Sequence, residues 1–376
     1  MIPTVPVWID DPTNAAILAV SEDRLQGFQL DPFGEIAERS GIDVATVLER
    51  IVAMLRSGTI RRVRQTLMAT NLAAGSLCAW QVPAEKLNEA FDWLFREDPF
   101  SGHVVVRTTD STTPGSNYRL WTTLKVPQGF SIEKHAAFLA RTIGAEAYRL
   151  MPAKALFALG VGHVRRRGLE PGARAAELAE VKGTSIVALS ELEWRVLTAV
   201  KRELALDEVV RDVWSDRAKE AGVSPAEFER IGKELNAKGV VGRFSTFLEH
   251  VKPNAGAGGQ SVTRYNALFH WKVPAGREID AGREIGRHYI MTHAYWREGG
   301  PEFKGVNVMG VAHGTEKDTV LAHKAAIDAH LLEAGIGFDY TNVFWGGRSE
   351  IKPSEIAPEA YLEFCDKFAL DPEAMR

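Results

Sequence analysis

The chain has 376 residues, room for two or three domains of ordinary size. Its 45 Lys and Arg are outnumbered by 49 Asp and Glu, so the basic surplus of a dedicated nucleic-acid binder is missing. The only cysteines, Cys78 and Cys365, exclude a disulfide framework and a cysteine-rich zinc site, and they fit a reducing, cytoplasmic setting.

The first residues, MIPTVPVWIDDPTN, lack the basic and apolar regions of a leader. No apolar run approaches ~18 residues, so no membrane partner is expected. Phe33 to Ala37 leads through Ser40-Gly41-Ile42 to a second helical stretch, 44–55. There Val47, Leu48, Ile51, Met54 and Leu55 fall at helical spacing. The Gly41 break reads as a helix-turn-helix, Gly58 as a C-cap, and 59–63 as the strand of a small wing. A strand (76–82), a helix (84–95), two strands (103–108, 119–126), a helix (132–143) and a strand (145–151) follow. This is the β-α-β-β-α-β order of a ferredoxin-like domain. After an Arg-, Gly- and Ala-rich linker the plan returns. Helices are predicted at 209–221 and 224–238, the latter opened by Ser224-Pro225-Ala226-Glu227. Strand and helix then alternate from 265 to 345. A Gly-rich segment, 253–260, reads as an inserted loop.

Landmarks recur in order at nearly constant offset, which indicates tandem duplication. Trp80-Gln81-Val82-Pro83 returns as Trp271-Lys272-Val273-Pro274, and His103 with Arg107 returns as His293 with Arg297. The predicted fold class is α+β, a tandem repeat of winged helix-turn-helix and ferredoxin-like βαββαβ domain, pseudo-dimeric within one chain. The expected divisions are a helix-turn-helix at 1–75, a ferredoxin-like domain at 76–159 and a linker at 160–190. A second helix-turn-helix at 191–252, a second ferredoxin-like domain at 261–350 and a tail at 351–376 follow.

This plan resembles the Lrp/AsnC-type regulators, which join a DNA-binding helix-turn-helix to a ligand-sensing ferredoxin-like domain. Finer motifs resemble the siroheme decarboxylases. They are Asn266-Ala267-Leu268-Phe269-His270-Trp271-Lys272-Val273-Pro274, His293-Ala294-Tyr295-Trp296-Arg297, Asn307-Val308-Met309, His313-Gly314, and Gly242-Arg243-Phe244 with His250. In copy one, Arg61-Arg62-Val63, His103 to Arg107 and Tyr118-Arg119-Leu120-Trp121 match the companion half. Arg119 stands where that family usually has Asn, and Val306 where it has Tyr. The resemblance implies an enzyme, a carboxy-lyase that removes CO₂ from two acetate side chains of siroheme. Its product, didecarboxysiroheme, feeds alternative heme or heme d1 synthesis. No added cofactor is implied, because the siroheme iron arrives with the substrate.

Siroheme is a flat ring with eight carboxylates, for which the arginine fork is suited. Arg61, Arg62, Arg107, Arg243 and Arg297 are the candidate carboxylate partners; Trp121, Tyr295 and Trp296 are candidates for the ring faces. The motifs add Asn266, Asn307, His313, His103 and Tyr118 to the substrate contacts. Loss of CO₂ leaves electron density that a proton must quench, and a histidine is suited to deliver it. His250 and His293 are the candidate donors, with His313 third, and either of the first two could be an axial ligand to the substrate iron. Residues four apart on a strand share a face, so His293, Tyr295 and Arg297 should project together, as should His103 and Arg107. A single histidine is more often structural, and His135, His163, His270, His288, His323 and His330 are read so. Trp80 and Trp271 read as core anchors, and Arg165-Arg166-Arg167 as a solvated run.

Two readings compete with the enzyme: a non-catalytic tetrapyrrole-binding sensor and a DNA-binding regulator. For DNA, each recognition-like helix mixes charge. Arg50 and Arg56 accompany Glu49, while Arg230, Lys233 and Lys238 accompany Glu227, Glu229 and Glu234. Copy one carries Ala69 and Lys125 where copy two has His250 and His313, so one principal site is expected, built mainly from copy two with arginines from copy one. The fused chain should satisfy the dimer pairing of this scaffold internally; further self-association is left open.

Overall fold

A computed structural model describes residues 5–160, 162–166, 168–250 and 252–376, with residue 165 as backbone only. In copy one the chain forms α1 (Pro12–Ser21), β1 (Leu25–Gln26), α2 (Pro32–Ser40), α3 (Val44–Arg56), β2 (Ile60–Leu67) and β3 (Ala73–Gln81). Then come α4 (Leu87–Arg96), β4 (Ser101–Thr108), β5 (Leu120–Pro127), α5 (Ile132–Ile143) and β6 (Ala147–Leu159). Copy two gives α6 (Glu191–Lys201), α7 (Ser215–Glu220), α8 (Pro225–Ala237), β7 (Val241–Leu248), β8 (Tyr265–Lys272) and α9 (Glu278–Gly286). It ends with β9 (Met291–Arg297), β10 (Val308–Gly314), α10 (Lys317–Glu333), β11 (Tyr340–Ile351) and α11 (Pro358–Lys367).

The chain divides into two compact units, each drawing on both copies. The first comprises 1–68, 160–168 and 187–264. It holds α1–α3 and α6–α8 around a three-stranded sheet ordered β1-β7-β2. The wings of the two copies pair antiparallel, Ile60 opposite Leu248 and Arg64 opposite Ser245. Gly41, with φ +71°, ends α2 in the left-handed conformation that a Cβ disfavours, and Asp43 caps α3 through the Thr46 amide. The predicted helix over 209–221 shrinks to α7. Asp212 accepts the Ser215 amide and so starts the helix late, while Arg211 is drawn to Asp31. α1 was not anticipated; Asp11 caps it and Pro12 opens it.

The second unit comprises 69–159, 169–186 and 265–376. Its eight strands close into one barrel, β10-β8-β11-β4-β5-β3-β6-β9. Within each copy the order is that of a ferredoxin-like sheet, and two antiparallel seams join the copies, β11 with β4 and β6 with β9. Period-two alternation divides the side chains. Outward faces build two cores beneath the helices. Trp80, Phe91, Leu124 and Leu139 pack in copy one, and Phe269, Trp271, Ile285 and Ile327 in copy two. Inward faces build a third from Ala79, Val105, Trp121, Met151, Leu268, Met309 and Phe344, closed at one end by Tyr118, Phe303 and Val306.

Two segments differ from their predicted roles. The tail joins the core of copy one, where Tyr361, Phe364, Cys365 and Met375 are buried. The linker is pinned rather than free: Leu156 and Lys182 exchange backbone hydrogen bonds, and Ala175 donates to the Arg287 carbonyl. Of the arginine run, Arg165 and Arg167 fall outside the described side chains. Arg166 is not solvated but bonds Asp23 at 3.3 Å.

Candidate functional site

In the barrel, alternation places the motif residues on the inner face. On β9, Ala294 and Trp296 belong to the outer core, so His293, Tyr295 and Arg297 point inward. On β4, Val104 and Val106 pack outward, so His103, Val105 and Arg107 point inward. The shared faces expected from the spacing are therefore present, with Trp296 turned away. Its indole donates to Glu298 at 2.9 Å, and Lys154 lies over the ring.

A chain of hydrogen bonds links residues of both copies. Arg107 donates through both terminal nitrogens to Asn266 Oδ1, at 3.2 Å each, and to the Phe344 carbonyl at 3.4 Å. Asn266 Nδ2 donates to His313 Nε2 at 3.2 Å. His313 Nδ1 lies 3.5 Å from the Thr292 hydroxyl, which lies 3.1 Å from His293 Nδ1. Arg107 can only donate, so it fixes the Asn266 oxygen toward itself and the amide nitrogen toward His313. His313 Nε2 must then accept, and the neutral ring carries its proton on Nδ1. Thr292 was not singled out in the sequence. It lies beside a register shift between Val311 and Ala312 that no spacing rule reveals.

Other predicted residues have different employment. Asn307 ties down backbone, accepting from the Val273 amide at 2.9 Å and donating to its carbonyl at 3.0 Å. Tyr118 and Trp121 lie in the inner core, the Trp121 indole donating to the Tyr118 carbonyl. His103 Nε2 meets Ser349 at 2.8 Å. Arg297 donates to the Met151 carbonyl and lies 4.4 Å from the Tyr295 ring centre. Burial lowers the Arg107 pKa to about 10 and also pulls down that of Arg297.

The first unit carries the other candidates on its sheet. Arg62, Arg64 and Arg243 surround the Phe247 ring at 6.0, 5.5 and 5.9 Å. Arg62 pairs with Glu203 at 3.0 Å, and Arg243 donates to the Glu22 carbonyl at 3.2 Å. Burial and the neighbouring Arg62 lower Arg64 to about 10. Burial, then the Arg62 charge, also pulls Arg61 down. His250 stacks on His163 with ring centres 4.1 Å apart. Burial and then the Arg61 charge push its pKa down to about 4. The ligand-free ring is therefore neutral at pH 7, unsuited to giving a proton until a bound anion raises its basicity. His163, read as structural, is its stacking partner.

An AsnC-like ligand-binding domain model matches residues 72–158. A siroheme decarboxylase of Hydrogenobacter thermophilus is 25% identical over 292 residues, 77% of this chain and 80% of that protein. The siroheme decarboxylase beta subunit of Desulfovibrio desulfuricans is 29% identical over 84 residues, 22% of this chain and 48% of the subunit. Among solved structures, the siroheme decarboxylase NirDL superposes with a TM-score of 0.65 at 19% identity, covering 96% of this chain and 99% of its own. NirDL in complex with an iron-uroporphyrin III analogue gives 0.64 at 19%, covering 95% and 99%. In sequence this chain is similar to siroheme decarboxylases, and in fold it is similar to NirDL over nearly its whole length.

Proposed function

We propose that the protein is a siroheme decarboxylase, removing CO₂ from acetate side chains of siroheme to give didecarboxysiroheme. The observation that carries this reading is a set of buried cations with no carboxylate in ion-pair contact among the described residues. In the barrel these are Arg107 and Arg297, 4% and 8% exposed, and the half-buried Lys125. Uncompensated buried charge costs several kcal/mol, and a substrate that brings eight carboxylates supplies the missing counter-charge. The co-complex of NirDL with an iron-uroporphyrin analogue supports a ligand of this class.

In this reading Arg107 holds a carboxylate and His293, joined through Thr292 to His313, delivers the proton. Each step turns a carboxymethyl group into a methyl group and CO₂ and takes up one proton. Protonating the pyrrole carbon first makes the ring an electron sink into which the C–C bond electrons can move. Nε2 of His313 is occupied as an acceptor from the Asn266 amide, which leaves His293 as the candidate donor. No further cofactor is needed for this chemistry.

The regulator reading is opposed by α8, where Arg230 and Lys233 are bonded at 2.6 Å to Glu234 and Glu229 of the same helix. Anaerobic incubation with siroheme, followed by mass spectrometry of the tetrapyrrole, tests the proposal. Two successive losses, each of the mass of CO₂, are expected. Siroheme bound but unchanged would leave a sensor, and neither binding nor turnover would sink the reading.

A further inference from the structure

The duplication places two equivalent rows of residues across the barrel. In one, strand register aligns Arg107, Gly346, Asn266 and His313 across β4, β11, β8 and β10. In the other, the pairings of Gly75 with Lys125, of Ser76 with Pro152 and of Ala153 with Arg297 align Arg297, Ala153, Gly75 and Lys125 across β9, β6, β3 and β5. Lys125 thus stands where the other row has His313, and Gly75 where it has Asn266.

The middle of the two rows differs. In the first, the Asn266 amide fills the gap and bonds both arms. In the second, Gly75 leaves the gap open, and Lys125 lies over it. A Cβ on Gly75 would come within 2.4 Å of Lys125 Nζ. Alternation with Trp121 turns Lys125 to the inner face of the barrel. Arg297 reaches inward from the other side and donates to the Met151 carbonyl on β6, the strand beside Gly75. Lys125 above Gly75 and Arg297 at the Met151 carbonyl therefore share one stretch of the inner wall. Neither has a carboxylate partner among the described residues, and burial, then the Arg297 charge, pulls the Lys125 pKa down to about 7. Lys125 and Asn266 both lie near the end of the barrel where β3 and β8 begin.

We infer that Lys125, above Gly75, and Arg297, at the Met151 carbonyl, form a second carboxylate seat in the barrel, the counterpart of the Arg107–Asn266–His313 station. Resting on the proposed function, this seat takes a peripheral carboxylate of the tetrapyrrole while the first station takes another. Gly75 is there because any side chain would stand where the carboxylate and the ammonium meet. The two seats fix the rotation of the ring in its plane, and so decide which acetate lies at the proton donor.

Absorbance titration with iron-uroporphyrin tests this, using the wild type, Lys125→Met and Gly75→Val. Both variants are expected to bind about tenfold or more weakly, the loss of one charge-assisted contact. Lys125→Met should also raise the melting temperature of the ligand-free protein, because a half-buried charge without a carboxylate partner among the described residues is gone. Lys125→Arg should restore part of the binding. Wild-type affinity in both Lys125→Met and Gly75→Val would overturn the seat and leave the enzyme reading standing. A separate readout uses benzene-1,3,5-tricarboxylate and NMR of ¹³C-dimethylated lysines. The Lys125 resonance should titrate near neutrality and move to higher pH when the tricarboxylate is added. That shift, with no binding of iron-uroporphyrin by the wild type, would keep the anion seat and reject the tetrapyrrole reading. No shift with the tricarboxylate and undiminished binding by the variants would reject the seat alone.

Discussion

Three buried histidines carry a pH prediction. His270 lies among Trp121, Phe303 and Phe344, and burial pulls its pKa down to about 3. His288 is also drawn to about 3 and His250 to about 4, each chiefly by burial. These folded-state values lie below the unfolded value near 6.5, so acid favours the unfolded chain. Their contribution is complete above about pH 6.5 and is lost as pH falls toward 4, by up to about 1.4 kcal/mol per pH unit for each histidine. Melting temperature should fall steadily from pH 7 to pH 5, and His270→Leu should flatten the slope by one proton. A melting temperature independent of pH in that interval would contradict the burial of neutral rings.

The proposed proton donor makes a different demand. His293→Ala should slow decarboxylation by about 10²–10⁴ while changing iron-uroporphyrin affinity only a few-fold, as expected when a proton donor is removed. Equal loss of affinity and rate would make His293 a binding residue instead. Residues of this hydrogen-bonded chain are legible because motif and spacing mark Arg107, Asn266, His293 and His313. In sequence Lys125 stands out only as the residue that replaces a histidine. A lysine on a strand ordinarily reads as solvated, and its alternation with Trp121 was the available clue.

At the scale of elements, periodicity found the strands of both βαββαβ units, because each has one face against helices. It missed α1, whose helix follows from the cap Asp11 and from Pro12, and it lengthened α7 across residues that Asp212 and Arg211 hold in a loop. The tail was also opaque, since nothing in its sequence says which sheet it covers. α11 brings Tyr361 and Phe364 against Phe100 and His135, with the Tyr361 hydroxyl 3.0 Å from His135 Nδ1. Phe364→Ala should cost about 3–5 kcal/mol in denaturant unfolding, as for a large buried aromatic side chain. A loss below 1 kcal/mol would show that α11 is a dispensable cover.

At the scale of the whole chain, recurring landmarks exposed the duplication, whereas barrel closure left no trace in sequence. The seams β11–β4 and β6–β9 join strands far apart along the chain through backbone hydrogen bonds that ask little of side-chain identity. Each copy alone would expose edges that attract aggregation. Cutting at the exposed Gly183 and co-expressing 1–183 with 184–376 should therefore yield a 1:1 complex, whereas either piece alone should aggregate. Two soluble, separately folded pieces would mean that the seams contribute little.

Cations of the barrel that have no carboxylate in ion-pair contact among the described residues are suited to receive the carboxylates of a tetrapyrrole that is then decarboxylated. The most direct test is an anaerobic time course with siroheme, read by mass spectrometry, for the wild type beside Arg107→Met. The wild type should lose two CO₂ in sequence, and siroheme should stay intact with the folded variant. Siroheme left intact by the wild type, or equal turnover by Arg107→Met, would contradict this reading.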